Sequence, residues 1–361
     1  MNTHDHAPTP PDCACGPTPD LTLSPPLPSR RVFVKTAALA SAATIAAVGS
    51  GSPLLFGKEE AATKNEPENL VKALYKSLTP EQKEEFCYEW DYKDDRGLLR
   101  AHVSNNWQIS DANIGGKLFT KDQQDMIEAM FWGLYQPDWH DRIKKQLKDD
   151  AGGYGKHQSI ALFGNPEEGP FQLVMTGRHL TIRCDGDTTP HAAFGGPIFY
   201  GHAAEEFNEK PNHAGNVFWP QALKANSLYQ MLDGKQREQA LIAQAPPEAQ
   251  IHFAKGKPPA GLMVAELSKD QKAFAADVLA TLVEPYRQID RNEIEKCLAA
   301  NGGLDQCRLS FFKSGDLGNN GVWDNWRLEG PSFVWHYRGA PHVHVWVNIA
   351  DTADFEITTR G

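Results

Sequence analysis

Short apolar runs occur in two blocks, and a block of helical sequence precedes each of them. The first block lies within residues 159–200 and the second within residues 308–349. Gly and Pro bound the individual runs, which is typical of β-strands joined by tight turns. The order helices, strands, helices, strands indicates separate β segments that pair into one sheet. We therefore predict an α+β fold, with an antiparallel or mixed sheet built from the central and C-terminal strands and flanked by helices.

Helix start signals support this order. A Ser or Thr that precedes a Gln by three residues can cap the first turn of a helix. The pairs with this spacing are Thr79/Gln82, Thr120/Gln123 and Ser268/Gln271. Further helical patterns cover residues 139–148, 222–232, 234–244 and 292–300. Each half of the chain joins helices to strands, but its sequence self-similarity is too weak to establish a repeat.

The sequence of the N-terminus predicts an export signal. The segment Ser29-Arg30-Arg31-Val32-Phe33-Val34-Lys35 precedes an Ala-rich apolar run at residues 36–48. This run is shorter than the roughly 20 residues that a membrane-spanning helix needs. Paired arginines before a weakly apolar run favour the twin-arginine route, and Ser, Phe and Lys also fall at the positions of that motif. We predict a twin-arginine signal at residues 29–50.

The signal divides the chain into segments of different composition. Residues 1–28 are rich in Pro, Thr and Asp and are predicted to be disordered. Residues 51–66 are typical of a charged linker. Residues 67–356 then remain for a single α+β domain. No other stretch is apolar enough to cross a bilayer, so we expect no stable membrane span in the mature protein.

Twin-arginine export predicts a location and is compatible with a metal cofactor. The route carries folded proteins, which implies the export machinery as a partner and a periplasmic or secreted location. Metal affinity at nitrogen and oxygen ligands rises toward copper and zinc regardless of need. Loading inside the cell lets the cell set the metal supply before export.

The charge balance and several missing motifs exclude other classes. The formal net charge is −10 and the pI is about 5.7, without a basic stripe after the signal, so we expect no nucleic-acid partner. The sequence lacks a Gly-x-Ser-x-Gly elbow, a P-loop, a dinucleotide fingerprint, a His-Glu-x-x-His motif and a haem-attachment motif. Serine hydrolases, kinases, Rossmann-fold enzymes and c-type cytochromes therefore lose support.

The cysteines leave open whether one disulfide bond forms. Cys297 and Cys307 flank the turn-like Asn301-Gly302-Gly303, so a disulfide between them is geometrically possible in an oxidising compartment. The sequence does not decide whether this bond forms. The spacing of the cysteines fits no zinc ribbon.

Six short motifs in a fixed order carry a family resemblance. They are Phe163-Gly164-Asn165-Pro166, Gly177-Arg178-His179-Leu180, Phe199-Tyr200-Gly201, Asp233-Gly234-Lys235-Gln236-Arg237, Leu328-Glu329-Gly330-Pro331 and His342-Val343-His344-Val345-Trp346. Through them the chain resembles a bacterial, exported family known as domain of unknown function 3500, over roughly residues 67–356. The resemblance implies a shared fold and marks residues of interest, but it supplies no activity.

His342 and His344 form the sharpest candidate site. Side chains alternate along a strand, so the two imidazoles of this His-x-His pair face the same side, about 7 Å apart at the backbone. That arrangement suits two ligands of one divalent transition metal, and zinc, manganese, iron and copper all accept imidazole. The same pattern also occurs on exposed polar faces and in hydrogen-bonded core pairs. Metal-free acid–base work by histidine is a further alternative.

Residues from other segments are candidates to complete the site. His179, at the start of another predicted strand, is the expected third ligand, and His202 is the candidate for a fourth. His336 lies across a short turn from His342, so hairpin register decides whether it faces the pair. We predict that His336 or Glu205 acts as an acid/base catalyst or contacts the ligands from behind.

Two further groups have simpler structural interpretations. His213 lies in a Pro- and Asn-containing segment and is predicted to be a surface turn residue. Trp323, Trp326, Trp335 and Trp346 cluster in the C-terminal strands. Their rings could stack on a sugar, although ordinary core packing is the simpler interpretation.

These residues lead to three functional hypotheses. The first is an exported metal-dependent enzyme whose mononuclear, histidine-rich site activates water for hydrolysis of a small molecule or a carbohydrate. The second places iron or copper on the same ligands, as in an oxidoreductase. The third is a non-catalytic periplasmic protein that captures a metal or a small molecule.

Overall fold

A computed structural model describes residues 66–256 and 258–360. The predicted disordered tail and the predicted signal lie outside these residues, as does the predicted linker apart from Glu66. The α-helices of the described residues are α1 Pro67–Ser77, α2 Pro80–Phe86, α3 Lys121–Gly133, α4 His140–Ala151, α5 Trp219–Met231, α6 Gly234–Ala240, α7 Lys269–Val283 and α8 Gln288–Ala300. None of these helices has both the length and the apolar character that a bilayer crossing requires.

Four of the helices begin with a reciprocal cap. In α2, α3, α6 and α7 the N-cap side chain accepts a hydrogen bond from the backbone N–H of a Gln, and the side chain of that Gln accepts one from the N-cap backbone. Such caps typically stabilise a helix by about 1 kcal/mol. The starts predicted at Thr79, Thr120 and Ser268 are confirmed. Helix α6 ends earlier than predicted, because Leu241 and Ile242 leave it to form a strand.

The strands of the described residues form one large sheet and two small ones. They are β1 Cys87–Tyr88, β2 Lys93–Asp94, β3 Gly97–Leu98, β4 His102–Ser104, β5 Ser159–Gly164, β6 Phe171–Gly177, β7 Leu180–Cys184, β8 Ile198–His202, β9 Leu241–Ile242, β10 Leu262–Met263, β11 Arg308–Phe312, β12 Asn325–Gly330, β13 Phe333–Arg338, β14 Val343–Ile349 and β15 Thr358–Arg360. The large sheet has 11 strands and is mixed, and helices flank it. The predicted α+β fold is confirmed.

The order of the large sheet is palindromic around the β8/β14 pair. It runs β1-β5-β6-β7-β8-β14-β13-β12-β11-β10, and β9 also pairs with β11. In each half a short strand pairs in parallel with the first long one, β1 with β5 and β9 with β11. The helices repeat as well, since Gln82 donates to Gln123 at 2.9 Å and Gln236 donates to Gln271 at 3.1 Å. The two halves therefore repeat one arrangement of helices and strands.

The two faces of the sheet have different surroundings. On β14, Val345 points into the large apolar core that the sheet shares with the helices. The alternate residues His344 and Trp346 point to the other side, as strand geometry requires. There Trp346 and Phe199 join a smaller apolar cluster that includes the segment 251–253. Strand alternation thus places the candidate site outside the main core.

The tryptophans and cysteines have structural positions. Trp326, Trp335 and Trp346 are fully buried, so their ring faces contact protein, and stacking on a sugar gains no support from them. Cys297 and Cys307 are both buried, and both are free thiols.

Candidate metal centre

Three histidine rings meet on the more thinly covered face of the sheet. His342 Nε2 lies 2.9 Å from His344 Nε2, which in turn lies 3.0 Å from His179 Nε2. All three side chains are fully buried. Within the described residues, this triad is the one set of His, Cys, Asp or Glu side chains grouped closely enough to hold a metal ion. The structure thus brings together the three histidines that the sequence singled out as principal ligands.

A tight turn places His179 next to His342 and His344. His179 lies between β6 and β7 with a φ of 55°, a left-handed conformation that non-glycine residues rarely adopt. Its N–H donates to the carbonyl of Asn105 at 3.0 Å. Opposite His344 on β8 lies Gly201, where a Cβ would come within 2.5 Å of the Val343 carbonyl oxygen and 3.3 Å of His179 Cγ. The strained turn and the absent side chain together make room for the third ring.

Each ring of the triad has an oxygen behind its Nδ1. The partners are Asp150 Oδ1 for His179 (2.9 Å), the Phe207 carbonyl for His342 (2.8 Å) and Glu248 Oε1 for His344 (3.5 Å). Only the contact of His342 has hydrogen-bond geometry, and its acceptor favours the tautomer of His342 with the proton on Nδ1 and the Nε2 lone pair available. One ligand nitrogen from each ring lies within 4.8 Å of the other two, a spacing that allows them to bind one metal ion.

Burial keeps the strand-borne rings neutral. Desolvation, followed by the charges of His179 and Arg338, lowers the pKa of His342 to about 3. Desolvation and then Arg338 also hold the pKa of His344 well below its ordinary value. Neutral imidazole is the form that binds a metal, so these rings need no deprotonation at neutral pH.

The donor set fits a transition-metal ion. Two nitrogens bound to one tetrahedral zinc ion lie about 3.3 Å apart, given the usual bond length. Two of the Nε2 separations, 2.9 and 3.0 Å, are close to this spacing, and the ligand atoms of all three residues lie within 4.8 Å of one another. A proton on His342 Nδ1 leaves its Nε2 as an acceptor that can bind a cation. Three protein ligands leave a fourth position for water or substrate.

His202 lies on the opposite face of the sheet from the triad. It pairs with Val343, whose side chain enters the core shared with the helices. Its Nε2 contacts Asp149 at 3.0 Å, and its Nδ1 accepts the N–H of Val217 at 3.0 Å. The predicted fourth-ligand role therefore does not match its position. One residue of strand alternation separates the two faces, so Gly201 faces the triad and His202 does not.

The predicted acid/base candidates also lie away from the triad. The ring of Trp346 lies between His336 and His344, with ring centroids 6.0 and 5.5 Å from theirs. The Nδ1 of His336 accepts a hydrogen bond from Arg327 at 3.1 Å, and burial followed by Arg327 holds the pKa of His336 well below its usual value. Glu205 is exposed on the loop after β8. Neither side chain is placed to exchange a proton at the triad.

Two carboxylates that the sequence analysis did not single out contact the triad instead. Burial raises the pKa of Asp150, but His179 and His202 outweigh it, and the pKa lies below its ordinary value. Glu248 also pairs with Arg338 at 2.8 Å. Helical patterning hides Asp150, because it lies in the charged last turn of α4, where an outward direction is expected.

His213 forms a separate buried site, in which the imidazole ring is charged rather than neutral. His213 Nδ1 lies 2.7 Å from Glu209 Oε2, and its Nε2 lies 3.1 Å from Asp324 Oδ1. A neutral imidazole has only one N–H, so donation to both carboxylates requires the imidazolium form. Burial lowers the pKa of His213, but Asp324 and Glu209 raise it above its ordinary value. The expectation of a surface turn residue is wrong, since His213 is 1% exposed and its ring stacks on Trp219.

The His213 imidazolium holds in place the loop that contacts the triad. The loop covers residues 203–216, and we call His213 with its two carboxylates the clamp. The N–H of Glu209 donates to the carbonyl of Pro341 at 2.8 Å, directly before His342. Two residues before Glu209, the carbonyl oxygen of Phe207 lies 2.8 Å from His342 Nδ1. The clamp therefore fixes one of the three oxygens behind the triad.

The fold and site define an α+β protein with a buried three-histidine centre. The chain belongs to the family described as protein of unknown function (DUF3500), whose model matches residues 60–356. The matched range includes the triad and the clamp, and the family expected from the motifs is confirmed. No curated protein and no solved structure matches the chain.

Proposed function

We propose that His179, His342 and His344 bind one divalent transition-metal ion and that the protein is an exported metal-dependent enzyme, hydrolytic in its chemistry. The observation that carries this proposal is the meeting of three buried Nε2 atoms, with an oxygen behind each ring. A bound ion of this kind lowers the pKa of water in its open position and so generates a nucleophile. Asp150 and Glu248 orient the ligands in this proposal.

Complete burial favours a second candidate, a protein that holds a metal without turnover. Phe207 packs edge-on against His342, with ring centroids 5.0 Å apart. All three rings are fully buried, so a substrate would reach the ion only if a covering segment such as the 203–216 loop moves. An enzyme needs that motion, whereas a metal-binding protein does not. Iron or copper on the same ligands would support oxygen chemistry, so the metal identity separates hydrolysis from redox function.

Elemental analysis of the purified protein tests metal binding. We expect about one metal ion per chain in the wild type and almost none in His342→Ala/His344→Ala, because two of the three ligands are lost. The matched control is His157→Ala/His252→Ala, which removes two exposed histidines and should keep the metal. Equal metal content in both double variants would remove the ligand assignment.

Cobalt substitution distinguishes the enzyme from a protein that holds a metal without turnover. The visible spectrum of protein-bound Co²⁺ responds to ionisation of a coordinated water. A spectral transition near pH 7 is expected if the fourth position holds water, as in catalytic zinc sites. A spectrum that stays constant across this range would favour the non-catalytic candidate.

We also propose that the twin-arginine signal exports the protein to the periplasm or beyond. The support is the Ser29-to-Lys35 motif before the weakly apolar run. Cell fractionation should find the wild type outside the cytoplasm and Arg30→Lys/Arg31→Lys retained inside. Unchanged export of this variant would refute the proposal.

A further inference from the structure

Four aromatic side chains line a cleft at one end of the large sheet. Tyr75 from α1, Tyr88 from β1, and Trp90 and Tyr92 from the loop after β1 contribute the rings. The cleft has a volume of about 810 Å³, which is within the usual range of sites for small molecules. We call it the aromatic cleft.

The position of the aromatic cleft separates it from the proposed metal site. The triad lies at the β8/β14 pair in the middle of the sheet, whereas β1 is a terminal strand. Four strand spacings of about 4.8 Å lie between β1 and β8, so the two strands are about 19 Å apart across the sheet. The metal centre therefore does not account for the residues that line this cleft.

Gly164 and Asn165, which belong to the first of the six family motifs, also line the aromatic cleft. A Cβ at Gly164 would clash with the carbonyl oxygen of Pro170 and would lie 3.2 Å from Trp90 Cε3, so the glycine allows Trp90 to pack closely on the β5–β6 turn. The Oδ1 atom of Asn165 accepts the N–H of Glu167 at 3.0 Å. This bond orients the amide, whose two N–H donors take no part in the turn.

The aromatic rings form a row of contacts from the core to the surface. The ring of Tyr88 stacks on that of the buried Phe163, with centroids 5.5 Å apart and planes inclined by 26°. The ring of Tyr92 in turn contacts that of Tyr88, at 4.7 Å between centroids. Tyr92 is 38% exposed, more than any other Phe, Tyr or Trp of the described residues. The row thus ends in a ring that a ligand can contact.

The charged groups of the aromatic cleft narrow the class of ligand. Of the lining residues, Glu84, Glu89 and Glu168 are acidic and Lys83 is basic, so the excess of negative charge disfavours an anion. The Nζ atom of Lys83 lies 3.7 Å from the centroid of the Tyr75 ring, a place that a cationic ligand would have to contest. Carboxylates accept hydrogen bonds and therefore suit hydroxyl donors. The cleft favours an uncharged ligand that has hydroxyl groups.

We propose that the aromatic cleft binds a neutral saccharide, at a site independent of the proposed metal centre. One face of a pyranose ring presents C–H groups, which pack on the electronegative face of an aromatic ring such as that of Tyr92. The hydroxyl groups of the sugar donate to the carboxylates and accept from the Asn165 amide. The cleft thus offers partners for both the apolar and the polar parts of a sugar.

Calorimetric titration with cellotetraose, maltotetraose and N-acetylchitotetraose tests this inference. Tyr92→Ala removes the exposed ring, and Tyr92→Phe keeps it. The matched control is Phe274→Ala, because Phe274 is a partly exposed ring on α7, outside the cleft, with the Lys224 ammonium 4.3 Å from its centroid.

We expect at least one of the three sugars to bind the wild type. Its dissociation constant should rise about fivefold in Tyr92→Ala, because one stacking ring is lost, and should stay near the wild-type value in Tyr92→Phe and Phe274→Ala. His342→Ala/His344→Ala should bind the sugar as the wild type does.

Three results would overturn the inference. The first is a wild type that binds none of the three sugars at millimolar concentration, or binds them no better than Tyr92→Ala does. The second is tighter binding of spermidine or trigalacturonate than of the sugars, which would exclude the neutral class. The third is loss of sugar binding in His342→Ala/His344→Ala, which would place the sugar at the metal centre.

Discussion

The triad and the clamp are two buried histidine sites served by one loop, and they accommodate positive charge in opposite ways. In the triad each ring has an oxygen behind one nitrogen and another imidazole in front of the other. In the clamp the His213 ring has a carboxylate at both nitrogens. The triad therefore offers three imidazole rings that could bind a metal cation, whereas a proton on His213 supplies the cation of the clamp.

The comparison shows that burial alone does not decide what a histidine does. All four rings are at most 1% exposed. Desolvation lowers the pKa of His342 and His344 and also acts on His213, but the two carboxylates at His213 raise its pKa above the ordinary value. The partners at the two ring nitrogens thus separate a site prepared for metal from a structural ion pair.

Metal removal should give the largest change in unfolding free energy, and it tests whether the triad binds a metal. With free metal a thousandfold above its dissociation constant, the wild type should gain about 4 kcal/mol in unfolding free energy over chelator-treated protein. His342→Ala/His344→Ala should gain nothing. Urea unfolding with and without metal measures both values, and equal gains would place the metal elsewhere.

Replacement of His213 should have the next largest effect and tests the clamp half. His213→Gln leaves two buried carboxylates without a cation, which should lower the unfolding free energy by about 3 kcal/mol at pH 6. The exposed His157→Gln is the control and should change little. A loss of stability below about 0.5 kcal/mol would mean that the imidazolium is not the cation of this site.

The pH dependence of this difference follows from the raised pKa of His213. Because the folded-state pKa exceeds the unfolded value, the stabilisation is complete below about pH 6.5 and declines as the pH rises through the folded-state pKa. The stability gap between wild type and His213→Gln should therefore narrow between pH 6 and the alkaline range. A constant gap across this range would mean a neutral ring.

The smallest effect concerns the oxygens behind the triad. Asp150→Asn removes the charge at His179 Nδ1 and should weaken metal binding about 10- to 100-fold, which is typical for such partners. The neighbouring Asp149→Asn is a matched control, since Asp149 contacts His202 on the other face. Competition with a chelator measures both affinities. If both variants weakened metal binding equally, the two faces of the sheet would not differ in their effect on the metal site.

Strand patterning was sufficient to predict two of the three triad ligands. Alternation placed His342 and His344 on one face, and the observed register confirms it. The same rule excludes His202, but only once β8 is known to continue to that residue and to pair with Val343. The predicted strand ended at Tyr200, so the face of His202 was not determined by the sequence pattern.

Long-range contacts account for the positions that local patterns alone did not determine. His179 depends on a left-handed turn and on the absence of a side chain at Gly201, which no local pattern shows. His213 depends on Asp324, which is 111 residues away in the chain. A Pro- and Asn-containing segment is typical of an exposed turn, and the tertiary ion pair overrides that local preference.

The acceptor behind His342 is a main-chain oxygen, which makes residue 207 unusual among the groups that serve the triad. Replacing Phe207 by another residue removes its ring but leaves the carbonyl in place. Metal affinity should therefore tolerate many side chains at this position. It should respond instead to insertions, deletions or prolines that redirect the chain between Ala203 and Asn216, so that the path of this loop is under stronger constraint than its composition.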